Sequence, residues 1–200
     1  MTAGRRVTAI TTEWCTPPHI VAAVKRVFGG GIALDPCSNE FSVVEAGVEY
    51  SLPDHDGLRE SWDYPTIFVN PPYGRDPVRG TRIADWLARS AEAAEAGSEV
   101  VCLVPVATNT GHWKRSVWPR AAAICFIAQP RVHFYLRGVQ DGQGAPMACA
   151  AIYYGAHVRN FADVFRDLGA VVPLKHVELP PAASTLRVEP AGLTRLGATP

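Results

Sequence analysis

The chain has 200 residues, 48% hydrophobic and 19% charged, a ratio that builds a core and excludes wholesale disorder. Lys+Arg 19 against Asp+Glu 19 leaves a formal net charge of +0, so nucleic acid cannot be held by bulk positive charge, only by local patches. No apolar run approaches the roughly 20 residues that cross a bilayer, and Met1 to Ile10 lacks the apolar core of a secretory signal; a cytoplasmic protein without membrane contact is expected.

Pro17 to Phe28 sets Ile20, Val21, Val24, Val27 and Phe28 on one helical stripe, with Thr16 as the expected N-cap and Pro17 in the first position. Gly29-Gly30-Gly31 closes that helix, and Ile32 to Asp35 follows as a short buried strand. Thr66 to Asn70 is a second strand, stopped by Pro71-Pro72, and Ile83 to Ala96 is a helix with Trp86 and Leu87 inward. Glu99 to Val104, Ala121 to Ala128 and Met147 to Tyr154 read as further strands, with a flexible Gln140 to Gly144 loop before the last. A final helix spans Asn160 to Leu168. Residues 1–178 are expected to form one domain and 179–200, rich in Pro, Ala and Gly, a loosely held tail.

Continuous apolar strands separated by helices predict an α/β domain: a mostly parallel twisted sheet with helices on both faces. In such sheets function gathers at the carboxyl ends of the strands, here Asp35, Asn70 and the segment after Pro105. The 5 cysteines include no C-x-x-C pair and the 6 histidines no ligand spacing, so buried thiols and no metal site are expected.

Asn70-Pro71-Pro72-Tyr73 is the sharpest motif. A proline-stiffened turn explains the first two residues, but needs neither the second proline nor the aromatic. The exocyclic amino group of a base is a poor nucleophile because its lone pair is delocalised into the ring. Two acceptors aimed at its hydrogens, the Asn70 side-chain oxygen and the Pro71 carbonyl, favour a pyramidal nitrogen with a localised lone pair. Pro71 and Pro72 fix φ and hold that carbonyl in advance, and Tyr73 offers a face on which an extruded base stacks.

With these residues the chain resembles the phage-type, Dam-like DNA N6-adenine methyltransferases, which use S-adenosylmethionine on a Rossmann-like methyltransferase fold. The ordered set is Glu13-Trp14-Cys15-Thr16-Pro17, Leu34-Asp35-Pro36-Cys37-Ser38-Asn39, Asp56-Gly57-Leu58 with Trp62, Asn70-Pro71-Pro72-Tyr73-Gly74, Trp86, and Arg131-Val132-His133-Phe134. The resemblance implies catalysis by Asn70, Pro71, Pro72 and Tyr73. It implies cofactor contacts from Thr16 and Pro17 at a helix N-terminus, from Asp35 to the methionine ammonium, from Pro36, Ser38 and Asn70, and from Asp56 (with Asp54 as a substitute) to the adenine. Phe134 would sandwich the target base opposite Tyr73, and Trp14 and Trp62 read as packing residues. DNA with a flipped adenine is the implied partner, in the cytoplasm of a bacterium or phage-infected host.

The usual glycine-rich turn after the first strand is absent, and the acid at the cofactor ribose falls to Glu45 or Glu49. Arg75, Arg79 and Arg82, with Lys114, Arg115 and Arg120, are the candidate phosphate contacts. The loops Gly74 to Thr81 and Gly138 to Pro146 are left to carry base specificity. The same tetrapeptide suits cytosine N4, adenine in RNA or a glutamine amide, and a noncatalytic binding module on the same fold is the rival from another class.

Overall fold

The structure is a computed structural model that describes residues 14–128, 132–140, 145 and 147–174. Its elements are, in chain order, β1 (Trp14–Cys15), α1 (Pro18–Val27), β2 (Leu34–Asp35), β3 (Val48–Glu49), β4 (Thr66–Val69), α2 (Ile83–Glu95) and β5 (Glu99–Pro105). A π-helical turn, Trp113–Val117, precedes β6 (Ala123–Ile127), β7 (Tyr135–Leu136), β8 (Val139–Gln140), β9 (Cys149–Tyr154), α3 (Val158–Phe165) and β10 (Gly169–Pro173). The expected tail 179–200, the loop residues 141–144 and 146, and the motif residues Glu13 and Arg131 lie outside the described residues.

Helix α1 begins one residue later than its stripe predicts. A residue that precedes proline is pushed out of the helical region, and Pro17, followed by Pro18, is extended at ψ 140 and becomes the N-cap. Thr16 is therefore not the cap, and its hydroxyl is used elsewhere. The helix closes in a Schellman motif, with Gly30 N–H donating to Lys25 O at 2.8 Å while Gly29 takes φ +77.

A seven-stranded sheet runs in the order β10-β6-β9-β5-β4-β2-β3. Strands β3, β2, β4 and β5 are mutually parallel, β9 is antiparallel to both β5 and β6, and β10 is antiparallel to β6. The sheet is thus mixed and mostly parallel. Ile67 and Val69 of β4 face the layer of α2 and the π-helical turn, with Trp86, Leu87 and Trp113. Phe68 faces the layer of α1 and α3, with Ile20, Val24, Phe161 and Phe165. This alternation within one strand covers both faces.

The chain leaves β2 toward β3 on one side, and leaves β4 toward β5 on the other. The carboxyl ends of β2 and β4 therefore flank a topological switch point, where α/β sheets open a crevice. A second sheet, β1-β7-β8, was not predicted. Trp14 pairs with Leu136 and Cys15 with Tyr135, and Arg137 (φ 50) and Gly138 (φ 74) make the tight β7–β8 turn, the type I′ geometry that matches strand twist. Among the described residues no helix is long and apolar enough to cross a membrane.

Candidate active site

Asp35 ends β2, and its side chain is only 4% exposed. Its carboxylate accepts the Cys37 N–H at 3.0 Å across Pro36, and no ion pair with it occurs among the described residues. Burial, against the opposing hydrogen bond from Cys37, pushes its pKa up to about 7, and the nearby Glu49 charge adds to the rise. The Cys37 thiol lies near this carboxylate and near the Asn70 backbone N–H; burial first, then the Asp35 charge, pushes its pKa well up. The turn that lacks glycines thus sets a sulfur between itself and the neighbouring strand end.

Glu49 stands opposite Asp35 in the β2–β3 register. It accepts the Ser38 hydroxyl at 2.9 Å and the Ala46 N–H at 3.1 Å, and the Ser38 N–H donates to Tyr50 O at 2.9 Å. Glu45, the other candidate acid, has φ 53 and pairs with Lys25 of α1 at 3.0 Å. Of the two, Glu49 borders the switch point.

The loop carrying Asp56 is pressed onto the β2 turn. A Cβ added at Gly57 would sit 1.7 Å from the Pro36 carbonyl oxygen, and the Trp62 indole N–H holds the Gly57 carbonyl at 2.7 Å. Asp56 accepts the Leu58 N–H at 3.2 Å, with Arg59 at 3.5 Å and Arg79 at 4.0 Å; Asp54 is exposed. Trp62 therefore packs, as expected, and also fixes the loop. Because the obstacle is backbone, Gly57→Ala is expected to lower unfolding stability by about 1–3 kcal/mol. A denaturation midpoint equal to wild type would show that the loop is not locked.

Asn70 follows β4, half-buried. Its Nδ2 donates to the Thr16 hydroxyl at 3.0 Å, and its Oδ1 lies 3.3 Å from the Tyr73 hydroxyl. Thr16 is 3% exposed, so the amide is oriented by a partner brought in from the start of α1. The second lone pair of Oδ1 stays available, and no hydrogen bond among the described residues engages the Pro71 carbonyl. Tyr73 is drawn inward: its hydroxyl is also 3.3 Å from Leu103 O, and burial, reinforced by Cys149, pushes its pKa well up.

Tyr73 and Phe134 come together, but not as parallel plates. Their centroids are 5.8 Å apart at an interplanar angle of 76°, an edge-to-face contact that leaves no slot between the rings. The pull of Asn70 and Leu103 on the Tyr73 hydroxyl accounts for this pose. A base reaches the Tyr73 face only from the side that Phe134 does not cover.

The cationic candidates divide. Arg75, Arg82, Lys114 and Arg115 are exposed. Arg79 is bound to Asp76 through Nε at 2.8 Å and through Nη2. Arg120 makes a bidentate pair with Glu95 at 2.8 Å through each nitrogen. It lies where the chain returns to start β6, away from the carboxyl ends, so it does not flank the crevice. Cys37, Cys149 and the orienting role of Thr16 were not read from the sequence; a thiol contact has no spacing signature.

Among the described residues no group of His, Cys, Asp and Glu is arranged to hold a metal ion. Over residues 6–165 the chain matches the family model described as DNA N-6-adenine-methyltransferase (Dam). No curated protein and no solved structure matches it.

Proposed function

The chain belongs to the DNA N6-adenine methyltransferases and is an adenine-specific DNA methyltransferase; from this we propose that it moves a methyl group from S-adenosylmethionine to the N6 amino group of an adenine extruded from DNA. The observation that carries the proposal is the Asn70 amide, oriented by its bond from Nδ2 to Thr16, whose oxygen keeps a second lone pair besides the one facing Tyr73, followed by a Pro71 carbonyl that no hydrogen bond among the described residues engages. We read the sheet as the Rossmann-like methyltransferase fold, on the strength of the reversal between β2 and β4.

The cofactor fits the residues present. A buried carboxylate without a cationic partner, Asp35, suits an ammonium. Glu49, opposite it, suits a ribose diol, and Asp56, next to the Gly57 that packs on Pro36, an adenine amino group. Thr16 and Pro17 open α1, whose N-terminal end suits a carboxylate, and Pro36 and Ser38 shape the wall between. S-adenosylmethionine, when bound, supplies an electrophilic methyl on a sulfonium.

The chain's own contribution is to hold the acceptor nitrogen. Asn70 Oδ1 and Pro71 O take its two hydrogens and localise its lone pair, and Pro72 stiffens the carbonyl's support. Tyr73 supplies the stacking face, Phe134 braces that ring, and Arg75 meets a phosphate. No protein base is needed before attack, because the amine proton leaves after the nitrogen becomes cationic.

Labelled S-adenosylmethionine incubated with DNA, RNA and a protein extract tests the reading. Nucleoside digestion is expected to yield N6-methyladenine from DNA. N4-methylcytosine, label confined to RNA or protein, or no transfer with cofactor bound overturns it.

A further inference from the structure

Val78 is 91% exposed, the most exposed of the large hydrophobic residues described. It stands at the tip of the loop that leaves the catalytic tetrapeptide, and that loop is locked. Asp76 Oδ1 accepts the N–H groups of Val78 at 2.8 Å and Arg79 at 3.0 Å. The Asp76 carbonyl takes the Gly80 N–H at 2.9 Å, and the Asp76 N–H donates to Thr81 O at 2.9 Å. Arg79 grips the Asp76 carboxylate and reaches Asp56 at 4.0 Å, tying the tip to the cofactor side of the crevice. Pro77 restricts φ before the tip, and Gly80 takes φ +72 after it. Arg75 and Arg82, on either side, are exposed and make no ion pair among the described residues.

A rigid loop that holds a stiff β-branched side chain in water, between two unpaired cations, matches a duplex rather than a protein partner. An extruded base leaves a gap in an apolar stack, while phosphates run along both sides of it. Resting on the adenine reading above, we propose that Val78 is a wedge: it enters double-stranded DNA at the target base pair and occupies the space the adenine vacates, with Arg75 and Arg82 on the flanking phosphates. The tip acts on duplex opening and not on methyl transfer, so its effect disappears once the pair is already open.

The test uses the full chain and a duplex sequence that the wild type methylates, prepared with the target adenine opposite thymine or opposite an abasic site. Val78→Ser is expected to lower kcat/KM about tenfold on the paired duplex and less than about twofold on the abasic one, while Val78→Leu stays near wild type. Cofactor affinity and melting temperature of both variants, equal to wild type, show that the loop is intact. Equal loss on both substrates, or loss on neither, overturns the wedge alone. A wild type active only on single strands also overturns the wedge. A wild type that methylates no DNA removes the adenine reading and the wedge with it.

Discussion

Asn70→Ala is expected to lower turnover by about 10²–10³-fold while the dissociation constant for S-adenosylmethionine stays within about threefold. The split follows from where each atom of the side chain is committed. Nδ2 commits one of its two hydrogens to the Thr16 hydroxyl, which fixes the amide's orientation, and Oδ1 has one lone pair facing the Tyr73 hydroxyl and one to offer. Alanine removes the acceptor that localises the amine lone pair, a contact that strengthens as the nitrogen becomes cationic, so the loss falls on kcat. Cofactor contacts assigned to Asp35, Glu49 and Asp56 come from other segments and are untouched; the change within about threefold covers the contact of Asn70 itself and the amide partner that Thr16 loses. Asn70→Asp keeps an acceptor oxygen, and the Thr16 hydroxyl can rotate to donate to it; this variant is expected to retain more activity than Ala. A parallel fall in turnover and cofactor affinity for Ala would instead mark Asn70 as a structural link between β4 and α1. Isothermal titration beside single-turnover methyl transfer separates the two.

The periodicity of the chain carried the two faces of the sheet and its mostly parallel character, but not which strands run against the rest. Cys149–Tyr154 is buried throughout, and a strand buried on both sides looks alike whichever way it runs; its antiparallel place between β5 and β6 depends on the path through β7 and β8. Strands β3, β7 and β8 each span 2 residues, too short for any pattern to register. The candidate site was legible where chemistry is local. Asn70, Pro71 and Asp35 announce themselves at strand ends. Pairings between distant segments were not legible: Thr16 reaching Asn70, Cys37 set between two strand ends, and Gly57 against Pro36 all arise from the topology. The same limit explains the arginines, because Arg79 and Arg120 become committed to Asp76 and Glu95 only on folding.

Asp35→Asn is expected to stabilise the cofactor-free protein at pH 8 while costing at least about a hundredfold in affinity for S-adenosylmethionine. The wild-type carboxyl is raised to about 7 when folded, against an unfolded value near 3.9. A raised acid favours the fold fully below its unfolded pKa, and that contribution is lost as pH rises through the folded value. Relative to the neutral amide, wild type therefore weakens progressively from about pH 4 and levels off above about pH 7, where the difference reaches at most roughly 4 kcal/mol. Asparagine retains an oxygen for the Cys37 N–H, so the gain reports the charge and not a lost hydrogen bond. When an ammonium pairs with Asp35 the carboxylate is favoured and its pKa falls, so wild-type binding near pH 6 releases a proton and tightens as pH rises toward 7. Calorimetry in two buffers of different ionisation heat reads that proton, and melting curves at pH 4 and pH 8 read the stability crossover. A variant that binds the cofactor like wild type removes Asp35 from the role of ammonium partner, and one that melts no higher at pH 8 shows that burial does not raise this carboxyl.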